Sequence, residues 1–181
     1  MNEFRLIQGY ADEVDSATHE GIAALNSTVW PPNPDAPAIE MTPVSERPDR
    51  YTVAVELEGR IVAAAEGFTR EVSCGDRRMK ILALCGVCTL PECRGRGYGA
   101  IVVKKVLELM NKGEYEAALW QTGVPDFYVK LGACEVGNKF CNSLHPSDKA
   151  KNPFWDKNIM LYPANCKNWP DGTIDLRGLG Y

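Results

Sequence analysis

Residues 81–112, ILALCGVCTL PECRGRGYGA IVVKKVLELM NK, determine which folds the chain can adopt. The segment up to Leu90 is apolar and rich in β-forming residues, and Pro91 follows it, which is typical of a strand buried on both faces. From Tyr98 onward, apolar residues recur at helical spacing while lysines fall on another face, and Gly113 is a suitable helix stop. The stretch therefore predicts a strand, a tight turn and a helix.

The predicted turn, residues 94–99, has the sequence RGRGYG. Unpaired backbone N–H groups and the positive end of the helix dipole favour anions at the start of a helix. Glycines remove the Cβ atoms that would keep a phosphate at a distance, and two arginines add positive charge. A pyrophosphate is therefore the predicted ligand, with turn geometry alone as the other role for these glycines.

Two motifs resemble those of a known family. Residues 94–99 match Arg/Gln-x-x-Gly-x-Gly/Ala, which resembles the acetyl-coenzyme A signature of the GCN5-related N-acetyltransferase (GNAT) superfamily. Residues 126–132, DFYVKLG, resemble the second signature, Phe-Tyr-x-x-x-Gly-Phe/Trp, with Ala133 where a large apolar residue is commoner. The carboxy-terminal residues look faintly like the aminoglycoside 2'-N-acetyltransferase branch. The sequence contains no Gly-x-x-x-x-Gly-Lys-Ser/Thr, and no Gly-x-Gly-x-x-Gly after a strand with an acid at ribose distance.

The resemblance implies a mixed α/β fold, with a central mixed β-sheet of roughly six to seven strands flanked by helices. It also implies acetyl-coenzyme A as the cofactor, whose pantetheine arm meets the strand before the turn like an added strand. The cofactor-binding residues that it implies are Val87, Cys88, Thr89, Arg94, Gly95, Arg96, Gly97, Tyr98, Gly99 and Ala100.

Direct acetyl transfer from a thioester to an amine needs a neutral amine, a stabilised oxyanion and a proton for the leaving thiolate. By resemblance Tyr128 supplies that proton, since a phenol and a thiolate have similar basicity; a tyrosine that only packs on the core is the alternative. Residues 84–87, LCGV, hold no carboxylate where many family members place a glutamate base. Glu66 on the preceding strand is the nearest candidate base. The alternatives to a Glu66 base are a water chain and the small neutral fraction of the amine. Glu66 would then be an exposed strand residue without a catalytic role.

The composition is that of one globular domain over residues 1–181, with 45% hydrophobic and 24% charged residues. The formal net charge of −4 argues against a nucleic-acid partner. No signal peptide and no apolar run of membrane-spanning length is seen, which predicts a cytoplasmic protein without a membrane partner. The seven cysteines are expected to be reduced thiols, with no metal bound. The expected partner is a small-molecule amine, and a homodimer is left open.

The spacing of apolar residues and the positions of turn-forming residues predict the remaining helices and strands. Asp12 or Asp15 is expected to cap a first helix, residues 31–48 to form an irregular loop, and Gly67 to mark a bulge. A short helix is expected after Gly123, and residues 163–181 form an irregular tail. The expected strands lie at residues 4–9, 51–57, 60–72, 81–90, 116–121, 133–140 and 158–162. The strand at 116–121 should run parallel to the strand at 81–90, because a helix connects them.

Other classes of function are weighed against the enzyme. Residues 85–88, CGVC, could form a redox pair or half of a zinc site, but residues three apart in a strand point to opposite faces, so buried structural cysteines are preferred. A protein that binds acetyl-coenzyme A without catalysis, as a sensor or interaction module, is the main alternative. A further hypothesis places Asp171, Asp175 and the Tyr181 carboxylate against a polyamine or aminosugar acceptor.

Overall fold

The computed structural model describes residues 3–31 and 49–181, so the predicted loop at residues 31–48 lies outside it except for Pro31. The described residues divide into two compact units: those up to Phe68 with Cys85–Val106, and Thr69–Leu84 with Leu107–Tyr181. The strands are β1 (Arg5–Tyr10), β2 (Tyr51–Leu57), β3 (Arg60–Cys74), β4 (Arg77–Thr89), β5 (Ala117–Thr122), β6 (Cys134–Glu135), β7 (Phe140–Cys141), β8 (Asn158–Tyr162) and β9 (Ile174–Asp175). The helices are α1 (Ser16–Val29), α2 (Tyr98–Leu107) and α3 (Pro125–Val129), with short 3-10 helices at Pro91–Cys93 and Glu108–Lys112.

The first unit is built on a tight hairpin between β2 and β3. Glu58 and Gly59 both have positive φ angles, 53° and 79°, as a two-residue hairpin turn requires. Leu57 therefore lies opposite Arg60, and the predicted strand pair is confirmed. Strand β1 continues this sheet, antiparallel to β2.

The hairpin contains a bulge close to its turn. The register shifts by one residue between Glu56 and Val55, because Val55 pairs with Ala63 while Glu56 pairs with Ile61. Residue 62 is thus the extra residue on β3. The predicted bulge at Gly67 is wrong, since this glycine pairs with Tyr51 in the regular register that follows the shift.

Helix α1 packs closely against the sheet of the first unit. Asp15, one of the two predicted caps, accepts a hydrogen bond from the backbone N–H of Thr18 at 2.7 Å. A Cβ atom added to Gly21 would lie 2.7 Å from Ile61 Cγ1, which shows how closely the helix approaches β3. The buried face of the helix consists of Thr18, Ile22 and Leu25.

Helix α2 begins at Tyr98, the first apolar residue of the predicted helical pattern. The ring of Tyr98, only 8% exposed, packs edge-on against Phe4 with 5.7 Å between ring centroids. This contact anchors the helix start against the segment before β1. After the following 3-10 turn, Gly113 adopts a left-handed conformation with φ of 73° and ends the helical stretch, as predicted.

The second unit contains the predicted parallel pair. Residues 81–83 of β4 lie opposite residues 117–119 of β5. Strand β8 runs antiparallel to β5, β6 is antiparallel to β8, and β9 pairs with both β3 and β7. The core of this unit consists of Val72, Met79, Ile81, Ala117, Leu119, Phe140, Phe154, Ile159, Leu161, Ile174 and Leu176.

The predicted single strand at residues 133–140 is wrong, because β6 and β7 are two short strands with different partners. Asn138, which lies between them, donates from Nδ2 to the carbonyl oxygens of Pro170 and Gly172, both at 2.8 Å. It also accepts a hydrogen bond from Trp169 Nε1 at 2.7 Å. These contacts bind the segment to the tail, so it does not continue as one strand.

Strand β8 is not the last strand as predicted, because β9 follows it within the tail. The predicted mixed α/β class is confirmed: a mixed sheet with six strands of five residues or more is accompanied by helices. A single domain over residues 1–181 stays a prediction. None of the helices in the described ranges combines the length and apolar character that crossing a bilayer requires.

Candidate active site

The turn at residues 94–99 has the geometry of an anion-binding loop. Gly95 and Gly97 have φ angles of 75° and 87°, a region that side-chain-bearing residues rarely adopt. A Cβ atom added to either glycine would meet no atom of the described residues within 4 Å, so the space that these residues leave beside the glycines is open. The hydrogen bond from Ile101 N to Gly97 O, at 3.1 Å, belongs to the first turn of α2. The N–H groups that precede it in the helix have no intrahelical acceptor and are available to a ligand.

The two arginines of the turn differ in their roles. Arg94 Nε donates to the carbonyl oxygen of Thr89 at 3.2 Å, which holds the turn against the end of β4. Arg96 is exposed. The residues present therefore fit a pyrophosphate: exposed N–H groups, two cations and no Cβ at either strained position.

The end of β4 offers its backbone for binding. The ladder of β4 with β5 comprises only residues 81–83 of β4. Beyond it, Gly86 has φ of 60°, which interrupts the regular strand, and Val87 and Thr89 are half-buried whereas Cys88 is buried. An extended ligand could therefore pair with this strand segment as an additional strand would.

Glu66 belongs to a cluster of polar groups beside this segment. Arg50 Nη1 lies 2.5 Å from Glu66 Oε2 and donates to Cys85 Sγ at 3.2 Å. The guanidinium also stacks over the ring of Phe68, 4.9 Å from its centroid. A Cβ atom on Gly86 would lie 3.8 Å from Glu66 Oε2, so the carboxylate lies directly beside the interruption in β4. Burial alone would lower the pKa of Arg50, but Cys85 and Glu66 raise it above its usual value, so the guanidinium keeps its charge.

Tyr128 lies in the second unit, on α3, with only 4% of its surface exposed. Its ring packs against Trp120 and Phe127, with centroid distances of 5.0 and 4.8 Å. Burial raises the pKa of Tyr128 far above its usual value, and a hydrogen bond with the Thr122 side chain opposes this rise only in part. The phenol is therefore protonated at neutral pH and cannot act as a base, but it is a weaker acid than the similar basicity of phenol and thiolate expected from the sequence would make it.

Gln121, at the carboxyl end of β5, connects three parts of the second unit. Its Oε1 accepts hydrogen bonds from the backbone N–H groups of Trp155 and Asp156, at 2.8 and 2.9 Å. Its Nε2 donates to Tyr181 O at 2.9 Å. Asp175, proposed from the sequence to face an acceptor, uses Oδ1 to accept from the backbone N–H groups of Ser143 and Arg177. This oxygen of Asp175 thus fixes the tail.

The two cysteines of the CGVC segment have different surroundings. Cys85 contacts Arg50, whereas Cys88 Sγ donates to Asn26 Oδ1 at 3.2 Å. None of the seven cysteines, all of which lie in the described ranges, forms a disulfide, and no group of three or more described His, Cys, Asp and Glu side chains is placed to hold a metal ion. Burial raises the pKa of Cys88 to about 12, and the charge of Glu66 adds to this rise.

We expect Cys88 to resist alkylation in the folded protein, because a thiol with this pKa is almost entirely protonated at pH 8. Iodoacetamide at pH 8, followed by peptide mass spectrometry, should leave Cys88 unmodified while the half-buried Cys166 reacts. Unfolded protein in denaturant, in which both should react, is the control. Modification of Cys88 at the rate of Cys166 in folded protein would contradict the burial of this side chain.

Arg50 is the residue of the cluster that the sequence analysis missed. It directly precedes β2, so strand alternation places its side chain on the same face as Thr52. Thr52 in turn lies opposite Glu66 in the β2–β3 ladder. The signal in the sequence was thus an arginine immediately before a strand. Only the correct register of the β2–β3 hairpin shows that this arginine lies on the same face as Glu66.

Comparisons with known proteins are consistent with this geometry. The family model described as Acetyltransferase (GNAT) domain matches residues 11–137. No sequence among curated proteins matches the chain. The structure resembles an acyl-CoA N-acyltransferase from Pseudomonas aeruginosa, with a TM-score of 0.60, 11% identity, and coverage of 88% of this chain and 98% of that chain.

Two further solved structures are similar. Escherichia coli ElaA has a TM-score of 0.56 and 14% identity, with coverage of 88% of this chain and 97% of that chain. A GCN5-related N-acetyltransferase from Kribbella flavida has a TM-score of 0.55 and 20% identity, with coverage of 75% of this chain. The chain spans 34% of the Kribbella protein's length. At these identities the likeness shows a common fold.

Proposed function

Because the chain belongs to the acetyltransferase (GNAT) family, we propose that it is an acyl-coenzyme A-dependent acetyltransferase that moves an acetyl group from acetyl-coenzyme A directly to a primary amine. The observation that carries this proposal is the turn at residues 94–99, with two glycines at positive φ and open space beside them. Such a turn at a helix start suits the pyrophosphate of coenzyme A. The acceptor is proposed to be a small cationic molecule such as a polyamine or an aminosugar.

The chain's own residues divide the binding of the cofactor between them. Backbone N–H groups of Gly97, Tyr98, Gly99 and Ala100, with the side chains of Arg94 and Arg96, would hold the pyrophosphate. The backbone of Val87, Cys88 and Thr89 would pair with the pantetheine arm, and an N–H group there would polarise the thioester oxygen. Gly95 gives the turn its conformation.

Acetyl-coenzyme A, when bound, supplies an activated acetyl group as a thioester. Glu66 accepts a hydrogen bond from the attacking amine and takes its proton, directly or through water, as the new N–C bond forms. Tyr128 donates a proton to the sulfur as the C–S bond breaks, and solvent restores the starting protonation states. No cysteine carries the acetyl group, since a neutral amine is already an adequate nucleophile.

This proposal predicts two measurable properties. Calorimetry should detect coenzyme A binding, and a thiol reagent should detect release of coenzyme A from acetyl-coenzyme A in the presence of spermidine, glucosamine or Nα-acetyl-lysine amide. An acetylated cysteine trapped by rapid quench would contradict direct transfer. Absence of any heat with coenzyme A would contradict the cofactor itself.

A second candidate function is a sensor or interaction module that binds acetyl-coenzyme A without catalysis. The observation that favours it is the ion pair of Glu66 with Arg50, which occupies one oxygen of the proposed base. Binding of coenzyme A together with no turnover of any amine in the panel would favour this module over the enzyme.

A further inference from the structure

The Arg50–Glu66 ion pair holds the carboxylate that is proposed as the base. The two side chains retain only 18% and 19% of their exposure, so the pair lies mostly out of solvent. The N–O distance of 2.5 Å involves Glu66 Oε2. Within residues 3–31 and 49–181, Glu66 Oε1 has no hydrogen-bond partner. One carboxylate oxygen is therefore fixed while the other can accept a hydrogen bond.

An isolated carboxylate would hinder amine acetylation as well as help it. A negative charge beside a bound amine raises the amine's pKa and favours the ammonium form, which has no lone pair for attack. A carboxylate whose charge is balanced by a guanidinium still accepts hydrogen bonds but favours the ammonium form much less. Among the described residues, the other titratable or charged groups near Glu66 are the thiols of Cys85 and Cys88 and, through Cys88, the guanidinium of Arg94.

We infer that Arg50 is a positioning residue for acetyl transfer: it fixes Glu66 beside Gly86 and balances its charge, so that Glu66 Oε1 binds the acceptor amine in its neutral form. This inference rests on the proposed function, because it concerns the same site. It predicts effects of opposite sign for the two partners. Loss of Arg50 leaves a negative charge beside the amine, whereas loss of the Glu66 charge leaves a positive one.

The experiment measures kcat against pH for wild type, Arg50→Gln and Glu66→Gln, with the amine of the panel that turns over fastest. The pH dependence of kcat reports ionisations in the enzyme–substrate complex. We expect the midpoint of the kcat–pH profile to rise by about one pH unit in Arg50→Gln and to fall by about one unit in Glu66→Gln. At pH 7, kcat of Arg50→Gln should fall about 10-fold, while the Kd for coenzyme A stays within about twofold of wild type.

Two further variants separate the effect of the charge at residue 50 from the effect of a disturbed fold. Arg50→Lys keeps the charge and should keep the wild-type midpoint. The double variant Arg50→Gln/Glu66→Gln leaves no unpaired buried charge, so it should fold and return the midpoint to about the wild-type value, with a lower maximal kcat. If Arg50→Gln does not fold, these two variants and Glu66→Gln still test the inference. Arg77→Gln, which breaks the ion pair with Glu116 elsewhere, is the matched control and should leave the midpoint unchanged.

Midpoints that stay at the wild-type value in both Glu66→Gln and Arg50→Gln, or shift in the same direction, would overturn the inference. If Glu66→Gln is the only one of the two that folds, a kcat–pH midpoint that stays at the wild-type value or rises would overturn the inference. Wild-type protein that binds coenzyme A but acetylates none of the three amines would contradict the proposed function instead. The two failures are therefore distinguishable. Failure of the inference is seen in pH profiles, which can be measured only if an amine is acetylated, whereas failure of the proposed function means that no amine is acetylated.

Discussion

Gly97→Ala is expected to weaken coenzyme A binding by about 30-fold, or about 2 kcal/mol. The added methyl group meets no atom within 4 Å in the part of the chain that the structure describes, so it would occupy the open space proposed for the pyrophosphate. The φ angle of 87° also strains an alanine at this position. Isothermal calorimetry with coenzyme A measures the loss.

Gly113→Ala is the matched control for backbone strain. Gly113 has φ of 73°, and a Cβ atom there likewise meets nothing within 4 Å. Both variants should therefore lose about 1 kcal/mol of unfolding free energy. Only Gly97→Ala should lose affinity for coenzyme A. Equal affinities in the two variants would disprove the assignment of the turn to the cofactor.

Tyr128→Phe is expected to lower kcat about 100-fold and to leave the Kd for coenzyme A unchanged. The raised pKa of Tyr128 keeps its hydroxyl protonated, and phenylalanine cannot donate a proton to the leaving sulfur. The hydrogen bond with Thr122 is lost as well, which should cost about 1 kcal/mol of stability. Release of coenzyme A at saturating amine measures kcat, and thermal unfolding measures stability.

Tyr115→Phe provides the comparison for this loss of a hydroxyl group. Tyr115 OH and Thr69 Oγ1 form a hydrogen bond of 3.0 Å in the same unit, before β5 instead of after it. Its removal should cost a similar amount of stability but should leave kcat at the wild-type value. If both variants lose kcat in proportion to their stability, Tyr128 has a packing role only.

The parts of the fold that the sequence predicts well are those with strong local signals. The hairpin from β2 to β3 follows from alternating apolar residues and Glu58-Gly59, and α2 follows from helical spacing and Gly113. These elements depend on the conformational preferences of neighbouring residues. The short strands β6 and β7 do not, because Asn138 and the distant tail residues that it contacts determine where they end.

The position of Glu66 shows why the site is harder to predict than the fold. A regular ladder continued from the Leu57–Arg60 pair would place Glu66 opposite Tyr51. The bulge shifts the register by one residue, so that Glu66 lies opposite Thr52 and on the face that Arg50 shares. The sequence contains no glycine or proline at this bulge that would have indicated it.

The brevity of the parallel ladder between β4 and β5 has a consequence for how such proteins diverge. If the β4 segment after that ladder binds its ligand through the main chain, then substitutions at Val87 do not change binding as long as the strand conformation is kept. Selection would act on backbone shape there more than on residue identity. Proteins can therefore keep one architecture while their sequences diverge, as the solved structures do at identities of 11–20% to this chain.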